Sequence, residues 1–385
     1  MHVVLVNYTY NRLLTTPEAL LERYDTLGGW ARALASAGAR VSVVPRFGCD
    51  TDLTRDGIVY RFVLDPGSRH GGLLDRPHRI HRAIEGLEPD IVHVHGLQFA
   101  RQARQLKRLL ESRGSDAPIV LQDHANAPPR RWLHRWTLGF ALRRVDAVSF
   151  VSREQARPWQ EGGFLRPEQR IVELMEGSSR FSLEARARAR ARTGLTGDPV
   201  CLWVGRLNAN KDPLTVLDGF RRALDKMPRA RLAMIYGSED LLPVLDRWLA
   251  ENPSTQARVR LLGLQPHRAL EAFYNSSDFF LLGSHHEGSG FAVLEALACG
   301  VVPVLSDIPS FRVLTGRGGI GGLWPVGDAE ALATVLTARY SRLHGRTPDE
   351  VRAFFDEHFS WEAIGRRGMA VYREIIDGRR GRSHS

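Results

Sequence analysis

The sequence predicts an α/β protein made of two parallel-sheet modules, on three observations. Short apolar, β-branched runs alternate with stretches of helical period from the first residues onward. The runs are nearly continuous in Val, Ile and Leu, the pattern of strands covered on both faces. The alternation then restarts after an arginine-rich segment near 176–199. Two modules suit 385 residues, too long for one ordinary domain. They imply a central cleft, with ligands at the carboxyl ends of strands.

In the first module "HVVLVN" (2–7) is the opening strand. A long polar segment, 8–27, separates it from the helical "GGWARALASAGA" (28–39). "RVSVVPR" (40–46), "DIVHVH" (90–95), "PIVLQ" (118–122), "DAVSFVS" (146–152) and "RIVELM" (170–175) read as further strands, with a helix at 98–114. In the second module the strands are 200–206, 230–237, 258–263, 278–284 and 301–306. Helices fall at about 213–226, 239–251, 267–275, 291–299 and 328–343. The Ala-Arg run before them reads as an exposed helix ending at Gly194, because both residues are strong helix formers. The expected divisions are 1–180, 181–360, a last helix at 361–377 and a polar, disordered tail at 378–385.

A net charge of +10 favours an anionic partner or, equally, a solvated basic face. Three distant cysteines show neither metal spacing nor a disulfide framework, which fits a reducing compartment. "MHVVLVNYTYN" has no basic n-region, and no run approaches the ~18 apolar residues of a spanning helix. The expectation is a cytoplasmic protein, with peripheral contact at the inner membrane face left open.

The chemistry concentrates in "HHEGSGFAVLEALACG" (285–300). It reads as a loop between a buried strand and a helix, where free backbone N–H groups attract anions. Gly288 and Gly290 admit a ligand close to the backbone, next to Ser289 and Phe291. Glu287 stands at the mouth. Glu295, among apolar neighbours, needs a partner: a ligand hydroxyl or a structural arginine. Arg206 and Lys211 in "VGRLNANKDP" (204–213) fall at the end of another strand and could together hold a diphosphate; as ordinary surface cations they would carry no role. Gly28 and Gly29 sit at the expected first helix start, as a phosphate or sugar approach or as a helix cap. The G-x-G-x-x-G fingerprint is absent after the first strand, so a dinucleotide cofactor is not supported.

Together these pieces resemble the family-4 retaining glycosyltransferases, which share the GT-B fold of two Rossmann-like domains facing a central cleft. The resemblance rests on "GG" (28–29), "PDIVHVHG" (89–96), "QDH" (122–124), "DAVSFVS", "VGRLNANKDP", the stretch 285–307, "GDAEALATVL" (327–336) and "FSWEAI" (359–364), in order. Glu287 and Glu295 match the family's E-x7-E signature. The resemblance implies that Arg206 and Lys211 hold the donor diphosphate and that Glu295 grips the ribose hydroxyls. By the same token Glu287 faces the transferred sugar, and Gly288, Ser289, Gly290 and Phe291 form a backbone cradle. His124 matches a histidine near the donor sugar, Gly28 and Gly29 a loop over the phosphates, and the last helix a segment crossing back to the first domain. The implied reaction moves a sugar from a nucleotide-diphosphate donor to an acceptor hydroxyl with retention, with no cofactor and no obligatory metal. A lipid-linked acceptor in glycan, glycolipid or polysaccharide synthesis is one option. A GT-B epimerase or hydrolase, or a catalytically silent nucleotide-sugar binder, stays the alternative.

Two departures fall on "MEGSSRF" (175–181), where the family often has an Asn-Gly turn, and on Arg312, where it often has Glu. The segment 8–27, with Tyr8, Tyr10 and Arg12, is expected to shape the acceptor pocket. The Asp-x-Asp of "CDTD" (49–52) reads as a loop rather than a metal-nucleotide site, and "GRGGIGG" (316–322) as a turn before a strand. His93 and His95 share a strand face and, with His124, read as cleft histidines rather than metal ligands. The basic, aromatic stretches 76–82 and 128–138 read either as a contact with anionic lipid or as solvated surface. Nucleic acid is not an expected partner.

Overall fold

The structure, a computed structural model, describes residues 1–65, 75–129, 131–341 and 347–380. It divides into two compact units. One takes Met1–Ser178 and the chain from Trp361 onward; the other takes Ser179–Ser360.

The first unit is an eight-stranded sheet built from β1 (His2–Asn7), β2 (Arg40–Phe47), β3 (Thr51–Arg55), β4 (Ile58–Leu64), β5 (Ile91–His95), β6 (Ile119–Gln122), β7 (Ala147–Phe150) and β8 (Ile171–Glu173). The spatial order is β3-β4-β2-β1-β5-β6-β7-β8. Every pairing is parallel except β3 with β4. β1 lies in the middle with all six residues buried, which is why it reads as an unbroken apolar run.

The β3–β4 hairpin is absent from the sequence reading. Asp56 and Gly57 both take positive φ, 55° and 74°, the geometry of a two-residue hairpin turn. "CDTD" is therefore not simply a loop. Asp52 stands in β3 and pairs with Arg61 across the hairpin at 3.4 Å. Asp50 accepts the Leu64 amide at 2.8 Å and pairs with Arg79 at 2.5 Å.

The segment after β1 also differs from expectation. Tyr8 is fully buried, with its ring centroid 5.7 Å from Phe99 and its hydroxyl 3.1 Å from His81 Nε2. It is a core residue, not part of an acceptor pocket. Thr16 caps a helix at Pro17–Arg23, and a second helix, Asp25–Ser36, begins before the glycine pair. Gly28 and Gly29 thus lie buried within a helix rather than in a loop at its start. Packing accounts for the second of them: a Cβ on Gly29 would lie 2.2 Å from the Trp361 ring. The helix Trp361–Arg380 returns the favour, since a Cβ on Gly365 would lie 2.2 Å from the Ala33 carbonyl oxygen. Small residues on both partners let these helices approach closely. The last helix runs past the expected end at 377, so 378–380 are helical rather than tail, and 381–385 lie outside the described residues.

The second unit is a six-stranded, all-parallel sheet of β9 (Val200–Gly205), β10 (Arg231–Tyr236), β11 (Val259–Gly263), β12 (Phe279–Leu282), β13 (Val302–Ser306) and β14 (Gly322–Trp324). Its order is β11-β10-β9-β12-β13-β14. The arginine-rich helix Arg186–Thr193 ends at Gly194 in the left-handed conformation, φ 65°. Its arginines are more than a solvated face. Arg186 and Arg190 each reach a different oxygen of the buried Asp278 at 2.8 Å, and the Val200 amide donates to the same carboxylate at 2.7 Å. One acid thereby joins this helix to β9 and to the start of β12.

Candidate active site

The order of the second sheet locates the site. β9 has β10 on one side and β12 on the other, so successive connections leave in opposite directions. The loops after β9 and β12 diverge at their carboxyl ends, and this switch point is where open α/β sheets bind ligands.

The two loops are stitched together. The Asn210 side chain donates to the His286 carbonyl at 3.0 Å and accepts the His286 amide at 3.1 Å. The His285 amide donates to the Asn210 carbonyl at 2.8 Å. His285 Nε2 lies 3.2 Å from Asp212 Oδ2, while the other oxygen of Asp212 caps the helix Pro213–Ala223 through the Thr215 amide. Gly283 keeps the loops close, since a Cβ there would lie 3.1 Å from the Asp212 carbonyl oxygen and press on it. Within this frame Lys211 Nζ donates to Glu287 Oε1. Both side chains are mostly buried, 13% and 15% exposed, so the pair is a fixed part of the floor rather than a surface contact. Arg206 follows β9 directly and is exposed.

Beyond Glu287 the chain turns into the helix Phe291–Ala298. Gly288, Ser289 and Gly290 are buried and Phe291 is exposed. Gly290 takes φ 69°, and a Cβ there would lie 2.9 Å from the Phe311 ring. Glycine is therefore required for both conformation and space. Ser310 Oγ donates to the Glu287 carbonyl at 3.3 Å and holds the turn from below.

Glu295 is held by a tyrosine and a histidine rather than by an arginine. The Tyr274 hydroxyl donates to Oε2 at 2.9 Å, and His267 Nε2 lies 2.7 Å from Oε1. Both donors come from one face of the helix His267–Asn275, seven residues apart. Burial, reinforced by the Glu295 charge, pushes the Tyr274 hydroxyl well above its usual range, so it stays a donor. Each carboxylate oxygen keeps a second lone-pair site for a hydroxyl.

His124 belongs to a separate constellation in the first unit. Its Nδ1 lies 3.0 Å from Glu176 Oε1 and its Nε2 3.3 Å from His95 Nδ1. Burial opposes a charge on His124, but the hydrogen bond and charge of Glu176, helped by Asp123, more than offset this and raise its pKa. His93 and His95 behave oppositely. They stack at 4.7 Å, burial with neighbouring histidines holds His95 well below the usual range, and burial with the His124 charge takes His93 down to about 3. His93 also meets the hydroxyl of buried Tyr372. These are structural neutral imidazoles beside one imidazole tuned to hold a proton. Among the described residues, no group of three acids, histidines or cysteines is placed to hold a metal ion.

The structure thus gathers Lys211, Glu287 and Gly288 to Phe291 at one switch point, with Arg206 at the strand end and Glu295 in the adjoining helix. The sequence reading missed Asn210, Asp212, His285, Tyr274, His267 and Glu176. The seven-residue spacing of His267 and Tyr274 was the only local signal for any of them. Chemically, two cations beside backbone N–H groups suit an anion, and a doubly held carboxylate suits vicinal hydroxyls. Arg312, where an acid was the family expectation, is engaged with Asp307, Nε to Oδ1 at 2.6 Å.

Comparison with known proteins agrees with this geometry. Residues 185–339 match the family profile described as glycosyl transferases group 1, and residues 27–172 match that described as glycosyltransferase family 4. A GDP-mannose:cellobiosyl-diphosphopolyprenol alpha-mannosyltransferase of Xanthomonas oryzae pv. oryzae is 26% identical over 302 residues, 74% of each chain. The sulfoquinovosyl transferase SQD2 of Arabidopsis thaliana is also 26% identical, over 71% of this chain and 53% of its own. The fold matches sucrose-phosphate synthase from Thermosynechococcus elongatus with a TM-score of 0.67, at 18% identity and covering 98% of this chain and 99% of that one. No helix among the described residues is long and apolar enough to cross a membrane. The chain belongs to the family-4 glycosyltransferases of GT-B type, enzymes that act on nucleotide sugars.

Proposed function

We propose that this protein transfers a sugar, with retention of anomeric configuration, from a nucleoside-diphosphate sugar to an acceptor hydroxyl in glycan, glycolipid or polysaccharide synthesis. The observation that carries the reading is the buried Lys211–Glu287 pair at the β9/β12 switch point, flanked by Arg206 and by the amino end of the helix that bears Glu295. In this reading Arg206 and Lys211 neutralise the leaving diphosphate, while the backbone of Gly288 to Phe291 approaches phosphate and sugar. Glu295, steadied by Tyr274 and His267, accepts the ribose hydroxyls. Glu287, anchored by Lys211, orients the sugar. His124 serves as a proton-bearing donor toward the sugar, and Gly28 and Gly29 contribute by setting their helix rather than as a phosphate loop.

The chemistry asks little of a protein base. The bond that breaks joins the anomeric carbon to a phosphate oxygen, and the leaving phosphate can accept the proton of the attacking hydroxyl. Stabilising the charge that develops on it is the main task, and one preorganised contact of this kind is worth roughly 10²–10³ in rate. No metal enters the scheme. The Xanthomonas relative, whose name specifies a diphosphopolyprenol acceptor, supports a lipid-linked acceptor here.

The test incubates the enzyme with nucleotide sugars, with and without acceptor lipid extracts, and assigns the product anomer by NMR. Acceptor-dependent product with the donor's configuration is expected. Free sugar alone, an epimerised donor, or binding without turnover would replace this reading by hydrolase, epimerase or silent binder respectively.

A further inference from the structure

We propose that the helix Trp132–Leu142 seats this protein on an anionic lipid bilayer. The helix is inverted with respect to burial. Leu138, Ala141 and Leu142 face the core, while Trp132 and Trp136 stand 77% and 69% exposed, joined by Leu133 and Phe140 at 45% and 42%. Trp132, Trp136 and Phe140 recur every four residues, and at 100° per residue they fall within one stripe that also takes in Leu133, while Arg144, just past the helix, sets its guanidinium 5.9 Å from the Phe140 ring centroid. The rings of Trp136 and Phe140 stack at 6.0 Å. Scattered exposed apolar residues are ordinary, but an aromatic stripe outside and aliphatic residues inside is a surface made for a partner.

Charge selects the partner. From Ala125 to Val145 the chain carries no Asp or Glu. Arg131, Arg135, Arg143 and Arg144 are exposed on or beside the helix. Arg104, from the neighbouring helix Ala100–Ser112, places its guanidinium 4.2 Å above the Phe140 ring. A second copy of this face would oppose arginine with arginine. A bilayer with anionic headgroups meets both parts of the pattern: indoles and phenyl rings enter the interfacial layer while guanidinium groups stay among the phosphates. The helix, 11 residues long, fits lying in the interface and is far too short to span it. This surface lies wholly in the first unit and involves none of the donor-binding residues.

The test is sedimentation of the full chain with vesicles of phosphatidylcholine and phosphatidylglycerol at 7:3, without any nucleotide sugar, so that its outcome is independent of transfer. Wild type is expected to bind with a blue shift of tryptophan emission, and at least ~10-fold more weakly to pure phosphatidylcholine or in high salt. The triple variant Trp132→Ala, Trp136→Ala, Phe140→Ala is expected to weaken binding at least ~10-fold while its nucleotide-sugar thermal shift is retained. Single Trp136→Ala, which removes one exposed ring, is expected to weaken it about threefold and covers the case of a triple variant that folds poorly. Absence of wild-type binding, equal binding by the variants, or concentration-dependent dimerisation through this face in place of vesicle binding would each overturn the proposal.

Discussion

Lys211 and Glu287 belong to different loops, one after β9 and one after β12, and their side chains meet in a mostly buried ion pair. The contact makes the two halves of the switch point one object. A buried pair adds little net stability, because desolvating both charges offsets most of their attraction, but it fixes geometry.

Removing one partner is a different matter, and at Lys211 it should touch both function and folding. Lys211→Ala is expected to lower kcat/KM by ~10²–10³. Because the substitution takes the counter-charge from a mostly buried carboxylate, stability should fall as well, by ~2–3 kcal/mol, or about 5–10 °C in melting temperature for a unit of this size. Steady-state kinetics beside calorimetry check this; a large loss of stability with kinetics intact would make the pair purely structural.

Tyr274 supports Glu295 without itself reaching the site. Tyr274→Phe removes one hydrogen bond to a carboxylate, worth ~1.5 kcal/mol, and is expected to raise the donor KM about tenfold with little change in kcat. Glu295→Gln should act in the same direction. A fall in kcat at unchanged KM for either would remove Glu295 from donor binding.

Asp278 predicts the reverse pattern. With two arginines and a backbone amide on one carboxylate, Asp278→Ala should destabilise by ~2–4 kcal/mol, somewhat less than a fully buried network because the arginines are partly exposed. Donor affinity of the folded fraction should be unchanged. Urea denaturation and a donor titration on the same preparation decide it.

Gly29 tests the helix pairing of the first unit. Ala would favour the helix by ~1 kcal/mol on propensity alone, yet its Cβ would enter the space of the Trp361 ring. Gly29→Ala is expected to lose ~1–3 kcal/mol by overpacking. Neutral or improved stability in a thermal melt would show that the glycine serves something other than close approach.

The buried histidines give a pH dependence. Burial, with the charges of His78 and Arg46, lowers His81 to about 3, against about 6.5 in the unfolded chain. A depressed pKa contributes stability that is complete above ~6.5 and is lost as pH falls toward the folded value. Between pH 7 and 5 His81 alone should remove ~2 kcal/mol, and His93 acts in the same sense. His124 runs oppositely: its raised pKa contributes below ~6.5 and fades as pH rises through the folded value. His81→Gln should flatten the acid limb of stability against pH, which urea midpoints at pH 5 and 7 measure directly.

Much of this architecture was legible because parallel strands buried on both faces announce themselves as apolar runs. The unbroken burial of His2–Asn7 and of Val302–Ser306 is what "HVVLVN" and "VPVLS" encode. The β3–β4 hairpin was not legible that way, since its outer strand, Thr51–Arg55, is polar and largely exposed. Tyr8 looked like a site residue because a tyrosine after a strand resembles a loop residue, and only the arrival of Phe99 and His81 makes it core. The acids and cations of the candidate site stood out by spacing. Their supports did not, because Tyr274 and Asn210 reach Glu295 and the loop after β12 through tertiary contacts that have no local pattern.

The central claim is that Lys211, Glu287 and Glu295 form one grip on a nucleotide sugar. Calorimetric titration of wild type and Lys211→Ala with a panel of nucleoside-diphosphate sugars tests it most directly. The account predicts that at least one donor binds wild type below millimolar Kd and that the substitution weakens it by at least ~10-fold. A wild type that binds none of them, or a variant that binds equally well, would contradict it.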